Sequence, residues 1–260
     1  MGWGELDAAL DAAPGTVSVY VGTRAYARLA DATHYAASTM KVAVLAALYR
    51  SGLDLDAEVP VRNEFASAAA GAPAYGCTPE YDSDHGVWDR VGGTASLRWL
   101  ATRMIVRSSN LATNLVLSHV GFAAVADVWA AAGARHSVTA RGIEDYAARE
   151  AGIDNLVTAA DLAALFTWVA HDAAGPGMLD VLLAQERRED LAAGLPPGTR
   201  IAHKNGWIQG VRHGAGIVYP DDAPPYPIAV CTSTTLPDAD ACALVAKVSA
   251  AAWAARHTLS

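Results

Sequence analysis

The sequence predicts an α+β fold in which one antiparallel sheet is built from both ends of the chain and helices pack around it. Three observations predict this fold. Alternating, β-branched segments occur near the start, at residues 16–22, and again between residues 199 and 233. The residues between them have mainly helical patterns. The last long segment, residues 239–256, has the pattern of an amphipathic helix. Strands at both ends with helices between them are typical of an α+β layout.

The N-terminal segment carries two predicted strands and then a helix. Residues 16–22 (TVSVYVG) alternate in polarity, and a second strand is expected at about residues 25–30 after a short turn. Residues 39–49 contain neither Gly nor Pro and are rich in Ala and Leu, which predicts a buried helix. Ser38 stands at the start of this helix, where serine is a favoured capping residue.

The middle of the chain is predicted to be mainly helical. Helices are expected at residues 96–106, 111–119, 122–132 and 158–169. Residues 54–95 hold several prolines and glycines and show no regular pattern. Residues 133–157 are predicted to form a long loop, which is uncommon in a compact domain unless the loop has a function.

The C-terminal segment completes the predicted sheet. Strands are expected at residues 199–202, 215–219 and 227–233, with a proline-rich turn before the last one. We therefore expect an α/β subdomain made of residues 1–50 and 190–260, and a mainly helical subdomain made of residues 51–189.

Composition argues against several classes of function. The net charge is -8 and there is no basic cluster, so nucleic acid is not an expected partner. No uninterrupted apolar run reaches the ~18 residues of a membrane span, so no membrane association is expected. The cysteines, Cys77, Cys231 and Cys242, lack a CxxC spacing. Buried thiols are favoured over a Cys231–Cys242 disulfide, and neither a metal nor a cofactor is expected.

The N-terminus lacks the features of a secretion signal. Its first 23 residues contain no Lys or Arg, whereas a signal peptide needs a basic start followed by an apolar run. The expected location is cytoplasmic, or secreted if a leader has been removed. The sequence leaves the oligomeric state open.

Lysine occurs only at Lys41, Lys204 and Lys247, and the first of these lies in a candidate catalytic motif. Ser38 and Lys41 are three residues apart, so on a helix they share a face. Serine is a poor nucleophile until a base takes its proton, and a buried lysine with a lowered pKa is such a base. A single SxxK motif is weak, because a helix cap and a solvated lysine explain it equally. The apolar helix around Lys41 argues against a solvated lysine.

Two further motifs follow along the chain. Ser108, Ser109 and Asn110 lie between two predicted helices, where capping alone would explain them. A Lys-Asn-Gly sequence at residues 204–206 lies at the end of a predicted strand. Each motif means little by itself.

Taken together, the three motifs resemble those of the serine β-lactamase and penicillin-binding-protein superfamily, class A branch. The family order is SxxK, SDN and KTG, and this chain has STMK at 38, SSN at 108 and KNG at 204. The flanking sequences MIVRSSNLATNLVLSHVG and RHGAGIVYP are also similar to those of the family. The likeness extends from about Ser18 to Arg256.

The resemblance implies a catalytic role for each motif. Ser38 would attack a carbonyl and become acylated, with Lys41 as the general base or as the group that holds the base. Ser108 would pass a proton to the leaving nitrogen, and Asn110 would bind the side-chain amide of the substrate. The backbone N–H groups of Ser38 and Trp207 would form the oxyanion hole.

The third motif is implied to bind the substrate. Lys204 would supply positive charge near Ser108 and the substrate carboxylate, and Asn205 and Gly206 would lie against the substrate. Arg212 is expected to bind that carboxylate through a forked contact, the alternative being a surface arginine on a strand.

Three departures from the family pattern argue against a broad, fast penicillinase. Ser109 replaces an aspartate of the family, and Asn205 replaces a hydroxyl residue that touches the substrate carboxylate. Trp207 replaces a small residue, so we expect it to narrow the acceptor side of the site.

The segment that should carry the deacylation base departs from the family pattern. Arg141 and Asp154 are expected to close the loop that carries it. Glu144 is the nearest carboxylate, but its spacing from Arg141 is one residue too long, and the short motif that should follow is missing. Glu144 is therefore either the base or a solvated loop residue.

Three hypotheses about function follow from these motifs. The first is a serine hydrolase that forms an acyl-enzyme on Ser38 with an amide, ester or β-lactam, a small molecule expected to bear a carboxylate. A D,D-peptidase-like enzyme or a biosynthetic acyltransferase is a variant of it. The alternative class is a non-hydrolytic penicillin-binding or ligand-sensing protein.

Overall fold

The computed structural model describes residues 2–259. The helices span Trp3–Asp11 (α1), Lys41–Arg50 (α2), His85–Trp88 (α3), Leu97–Val106 (α4), Asn110–Ala131 (α5), Tyr146–Glu150 (α6), Ala159–His171 (α7), Gly175–Leu183 (α8) and Asp238–Ala254 (α9). The strands span Gly15–Val21 (β1), Tyr26–Arg28 (β2), His34–Tyr35 (β3), Glu58–Pro60 (β4), Thr94–Ser96 (β5), Leu156–Val157 (β6), Arg200–Ile208 (β7), Val211–Tyr219 (β8) and Tyr226–Thr234 (β9). A short 3-10 turn, Ala37–Met40, leads directly into α2.

The main sheet joins the two ends of the chain, as the sequence predicts. Its five strands lie in the order β2-β1-β9-β8-β7, and every neighbouring pair is antiparallel. The strand β1 pairs along its whole length with β9, from Gly15 opposite Thr234 to Val21 opposite Ile228. The α+β class is therefore confirmed.

Each face of this sheet covers a separate apolar core. One face packs with α2, α4, α5, α7 and α8 through small sheet residues such as Ala202, Ala215 and Ala229. The other face packs with α1 and α9 through larger residues such as Val19 and Val230. Alternate residues of a strand point to opposite faces, so β9 contributes Ala229 to one core and Val230 to the other.

Most predicted elements are present, with some changes of extent. The two helices expected at residues 111–119 and 122–132 are the two arms of α5, which is interrupted at Gly121, where φ is 77°. Thr158 caps α7 by accepting a hydrogen bond from the Asp161 N–H, as expected. Neither α1 nor α8 is predicted by the sequence pattern, and the loop at residues 133–157 contains α6 and β6.

Three other sequence-based expectations concern a membrane span, a disulfide and the division into subdomains. By length and mean hydropathy, 1.5, α5 resembles a membrane-spanning helix, but half of it is buried inside the protein. All three cysteines are buried and free, so the disulfide alternative for Cys231 and Cys242 is wrong. The division into two subdomains stays a prediction, although α7, in the part expected to be helical, packs on the sheet.

Candidate active site

Ser38 lies in the 3-10 turn before α2, directly beside the third motif. In a 3-10 turn, residues i and i+3 lie on one side, so Ser38 and Lys41 share a side of the chain. The Cα of Gly206 on β7 presses against this turn, since a Cβ there would lie 2.8 Å from the Ser38 backbone nitrogen. Only glycine allows that approach. The Ser38 side chain caps no helix.

Lys41 is fully buried and is bound to the second motif. Its Nζ donates to the Ser108 carbonyl at 2.7 Å, to Asn110 Oδ1 at 3.0 Å and to Ser108 Oγ at 3.3 Å. Burial lowers the pKa of Lys41 to about 8, against the opposing charge of Asp82. Within residues 2–259 no hydrogen bond joins Lys41 to Ser38, so the direct contact expected from their spacing is not formed.

Lys204 approaches the same hydroxyl from the opposite side. It is fully buried, and its Nζ donates to Ser108 Oγ at 3.0 Å and to the Asn205 carbonyl at 2.8 Å. Burial, together with the charge of Lys41, holds the pKa of Lys204 well below its usual value. The Ser108 hydroxyl therefore lies between two buried amines, which is the position expected of a group that passes on a proton.

Asp82 supports the loop of the second motif. Ser109 caps α5 by accepting from the Ala112 N–H at 3.1 Å, and its hydroxyl donates to Asp82 Oδ2 at 3.1 Å. The Leu111 N–H donates to the same oxygen at 2.9 Å. The carboxylate that Ser109 itself lacks is thus brought to this loop by a residue from elsewhere in the chain.

Asn110 joins the lysine cluster to the open part of the site. Its Oδ1 accepts from Lys41, and its Nδ2 donates to the Tyr81 carbonyl at 3.1 Å. Asn110 and Ser38 both line a cavity of about 390 Å³ that also contains Glu144 and the rings of Tyr81 and Trp207. We call this the Glu144 cavity.

Glu144 is held in the Glu144 cavity with one carboxylate oxygen unpaired. Its Oε2 accepts from the Thr78 N–H at 2.9 Å, whereas its buried Oε1 has no hydrogen-bond partner among the described residues. Burial raises the pKa of Glu144, although the bonds from Thr78 oppose the shift. Arg141 donates to Asp154 at 2.7 Å and closes the loop as expected. Glu144 is therefore not a solvated loop residue.

A second cavity, of about 430 Å³, also adjoins Ser38. Its lining includes Ser38, Ser108, Asn110, Arg187, Trp207 and Arg212, and we call it the Arg187 cavity. The half-buried Trp207 lines both cavities, and its ring lies 5.8 Å from Lys204 Nζ and 5.5 Å from the guanidinium carbon of Arg212. The narrowing of the acceptor side by Trp207 stays a prediction.

Arg212 and Asn205 do not have the surroundings that the sequence predicts. Arg212 is buried, and its guanidinium pairs with Glu189 at 3.0 Å, Asp190 at 3.1 Å and Asp238 at 3.4 Å. It is thus neither a surface arginine nor a free carboxylate receptor. Asn205 is fully buried and lines neither cavity, because its amide donates to the buried Asp190 at 3.2 Å. Its expected side-chain contact with substrate is therefore wrong.

Sequence reasoning missed Asp82, Asp190 and Arg187. The charged run Arg187-Arg188-Glu189-Asp190 stands shortly before the third motif and was the available signal. Charged runs are usually solvated, so the sequence alone does not mark two of these side chains as part of the site.

Comparisons with known proteins identify the family. The sequence profile of the family described as "Beta-lactamase enzyme family" matches residues 3–255. Among curated protein sequences, none matches the chain significantly.

Several solved structures share the fold. A β-lactamase from Sphaerobacter thermophilus is 25% identical, with a TM-score of 0.81 and coverage of 98% of each chain. PBP-A is 21% identical, with a TM-score of 0.78 and coverage of 97% of this chain and 94% of that one. A class A β-lactamase from Mycobacterium abscessus is 18% identical, with a TM-score of 0.80 and coverage of 98% and 99%.

The fold and the profile define a class A β-lactamase-like protein. The chain belongs to the β-lactamase enzyme family, and it is a serine hydrolase of the β-lactamase kind.

Proposed function

We propose that the protein forms an acyl-enzyme on Ser38 with a β-lactam, or with a related amide or ester, and then hydrolyses it. The observation that carries this proposal is the position of the Ser108 hydroxyl, 3.3 Å from Lys41 Nζ and 3.0 Å from Lys204 Nζ. Two fully buried amines around one hydroxyl, in a cavity shared with Ser38, suit proton transfer far better than they suit structural support.

Acylation uses groups on both sides of Ser38. A neutral Lys41 accepts the proton of Ser38 Oγ as that oxygen bonds to the substrate carbonyl carbon. The pKa of about 8 supports this role, because a base is most effective when its pKa lies near the working pH. The Ser38 and Trp207 N–H groups bind the developing oxyanion. The C–N bond then breaks, and Ser108 supplies the proton to the leaving nitrogen.

Deacylation is assigned to Glu144. Glu144 lines the same cavity as Ser38, and its buried Oε1 has no hydrogen-bond partner among the described residues. In this position its carboxylate removes a proton from the water that attacks the ester. Its raised pKa is typical of a carboxyl group tuned for proton transfer. The constriction at Trp207 favours slow turnover of bulky substrates.

The relatives support β-lactams as the first substrates to test. The structures similar to this chain include class A β-lactamases and a PBP-A variant in an acyl-enzyme complex with penicillin G. A β-lactamase releases its acyl group, whereas a penicillin-binding protein of the non-hydrolytic kind retains it. The second outcome is the alternative function for this chain, and it requires that Glu144 fail as a base.

Intact-protein mass spectrometry after brief exposure to a panel of β-lactams and activated esters tests the proposal. We expect a transient adduct and loss of substrate with the wild type, and neither with Ser38→Ala. A stable adduct on Ser38 would support the alternative, a protein that binds penicillins without hydrolysing them. Absence of both adduct and turnover across the panel would contradict an acyl-enzyme on Ser38.

A further inference from the structure

Among the described residues around Ser108 and the Arg187 cavity, every cation but one is bound to other groups. Lys41 and Lys204 are fully buried and hydrogen-bonded around Ser108. Arg212 is surrounded by three carboxylates at 3.0 to 3.4 Å. An anionic substrate that relied on Arg212 would have to displace Glu189, Asp190 or Asp238.

Arg187 is the exception. It is half-buried and lines the cavity that holds Ser38 and Ser108. Its guanidinium carbon lies 5.5 Å from the centre of the Trp207 ring. Among residues 2–259, no carboxylate lies within ion-pair distance of this guanidinium, and its side chain makes no hydrogen bond.

The backbone of Arg187 is held in place. Its N–H donates to Gln185 Oε1 at 2.9 Å, and the buried Gln185 side chain in turn donates to the Ile105 carbonyl on α4 at 2.8 Å. The backbone position of Arg187 is therefore fixed relative to α4, and the Arg187 side chain packs against the indole of Trp207.

An arginine above an aromatic ring is well suited to binding an anion. The ring attracts the cation, while the N–H groups at the edge of the guanidinium remain available for a forked contact with a planar carboxylate. Fewer side-chain conformations are lost on binding when the arginine is already held against a ring.

We propose that Arg187, held against Trp207, is the residue that binds the carboxylate of the substrate, in place of Arg212. This inference rests on the proposed function and adds a specificity-determining residue to it. Trp207 then has two functions, since its backbone N–H faces the oxyanion and its ring supports the arginine. The substrate class is an acyl compound with a carboxylate on the leaving-group side of the scissile bond.

The competing possibility is that the Arg187 cavity prefers a positively charged ligand. Glu80, Asp82, Glu189 and Asp238 also line the Arg187 cavity. Asp82 is bound to the Ser109 hydroxyl and the Leu111 N–H, whereas the side chains of Glu189 and Asp238 are 45% and 67% exposed. Glu189 and Asp238 nevertheless face the Arg212 guanidinium, which offsets their charge, whereas Arg187 interacts with Glu189 only at longer range and makes no ion pair among residues 2–259.

Binding without chemistry tests the proposal directly. In a Ser38→Ala background, calorimetry measures the affinity of benzylpenicillin and of its methyl ester, which lacks the negative charge. Arg187→Gln should lower the affinity for benzylpenicillin by about 10- to 100-fold, as expected for loss of a charge-assisted hydrogen-bonded pair. The affinity for the methyl ester should stay unchanged. The matched control, Arg188→Gln, removes an exposed neighbouring arginine and should change neither.

Each other outcome overturns the assignment. If the affinities for benzylpenicillin and its methyl ester fall equally, Arg187 only shapes the cavity. If benzylpenicillin binds Arg187→Gln more tightly than the unchanged protein, the cavity prefers a cation. No effect on either ligand, or no binding of benzylpenicillin, would also contradict it. Acylation of the Ser38-containing Arg187→Gln protein by the ester is measured separately, so failure of the proposed function is distinguished from failure of this inference.

Discussion

Three residues of the site adopt a left-handed backbone conformation although none is glycine. The φ angles are 45° at Ala37, 60° at Ser108 and 66° at Glu144. Such conformations cost roughly 1–3 kcal/mol each and persist only where the surroundings enforce them. Here Lys41 binds the Ser108 carbonyl, and the Thr78 N–H binds the Glu144 carboxylate. Each group that we assign to chemistry is thus held by another part of the chain.

Glu144→Gln is the sharpest test at this scale. The amide cannot accept a proton from water, so the acyl-enzyme should persist about 100-fold longer or more, while acylation stays near the wild-type rate. Adduct lifetime in time-resolved mass spectrometry measures the effect. Because burial raises the pKa of Glu144, wild-type deacylation should also slow as the pH falls through that raised value, since only the carboxylate is active.

An exposed glutamate on the same loop provides the control for Glu144. Glu150, at the end of α6, lies on the surface, so Glu150→Gln should leave the adduct lifetime unchanged. If Glu144→Gln has the wild-type lifetime, another group must activate the water, and Glu144 is then only part of the loop.

At the scale of elements, the site depends on how closely β7 approaches the 3-10 turn. This approach brings the backbone of Gly206 against the nitrogen of Ser38 and places the Trp207 N–H next to it along the strand. The oxyanion hole that we propose therefore depends on the packing of two elements from opposite ends of the chain. Side-chain chemistry alone does not form it.

Gly206→Ala should separate these two elements. A Cβ would lie 2.8 Å from the Ser38 nitrogen and 3.1 Å from that of Thr39, both of them backbone atoms that cannot rotate away. We expect the acylation rate to fall by about 100-fold, comparable to the loss of one oxyanion donor, in a protein that still folds. Stopped-flow acylation and circular dichroism measure the two properties. The control is Gly4→Ala, because a Cβ at that position meets nothing within 4 Å. If Gly206→Ala is acylated at the wild-type rate, the close approach of Gly206 to Ser38 is not needed for an oxyanion hole.

The elements that sequence predicts best are those with strong local patterns. The buried helix α2 and the strand β1 follow directly from an apolar run and from alternation. By contrast, α8 begins with Gly-Pro-Gly at residues 175–177, residues that disfavour helices except near the first turn. It is stabilised by packing of Met178 and Leu182 in the core, which local propensity does not reveal.

The same limit applies to the site. The motifs identify Ser38, Lys41, Ser108 and Lys204, because the family likeness lies in the sequence itself. The surroundings of Arg212 depend on Asp190, 22 residues away, and on Asp238, 26 residues away. Only the folded sheet and the start of α9 bring these groups together, so the ion pairs of Arg212 cannot be predicted from the sequence.

At the scale of the whole molecule, three histidines are buried within β-strands. Burial lowers the pKa of His34 to about 4, that of His203 to about 3 and that of His213 to about 4. His34 and His213 are hydrogen-bonded on both ring nitrogens, whereas neither ring nitrogen of His203 has a partner among the described residues. All three are more readily protonated in the unfolded chain than in the folded one.

His203→Leu should therefore make the protein less sensitive to acid. Because the folded pKa of about 3 lies below the ordinary 6.5, the unfolded chain binds more protons between these values, and the free energy of unfolding falls as the pH decreases through that window. Each such histidine contributes up to about 1.4 kcal/mol per pH unit there. Leucine removes the titrating group and the unpaired ring nitrogens, so urea unfolding at a series of pH values should show a shallower dependence for His203→Leu than for the wild type. His136→Leu, at an exposed position, should keep the wild-type slope, and equal slopes for all three proteins would mean that His203 takes up no extra proton on unfolding.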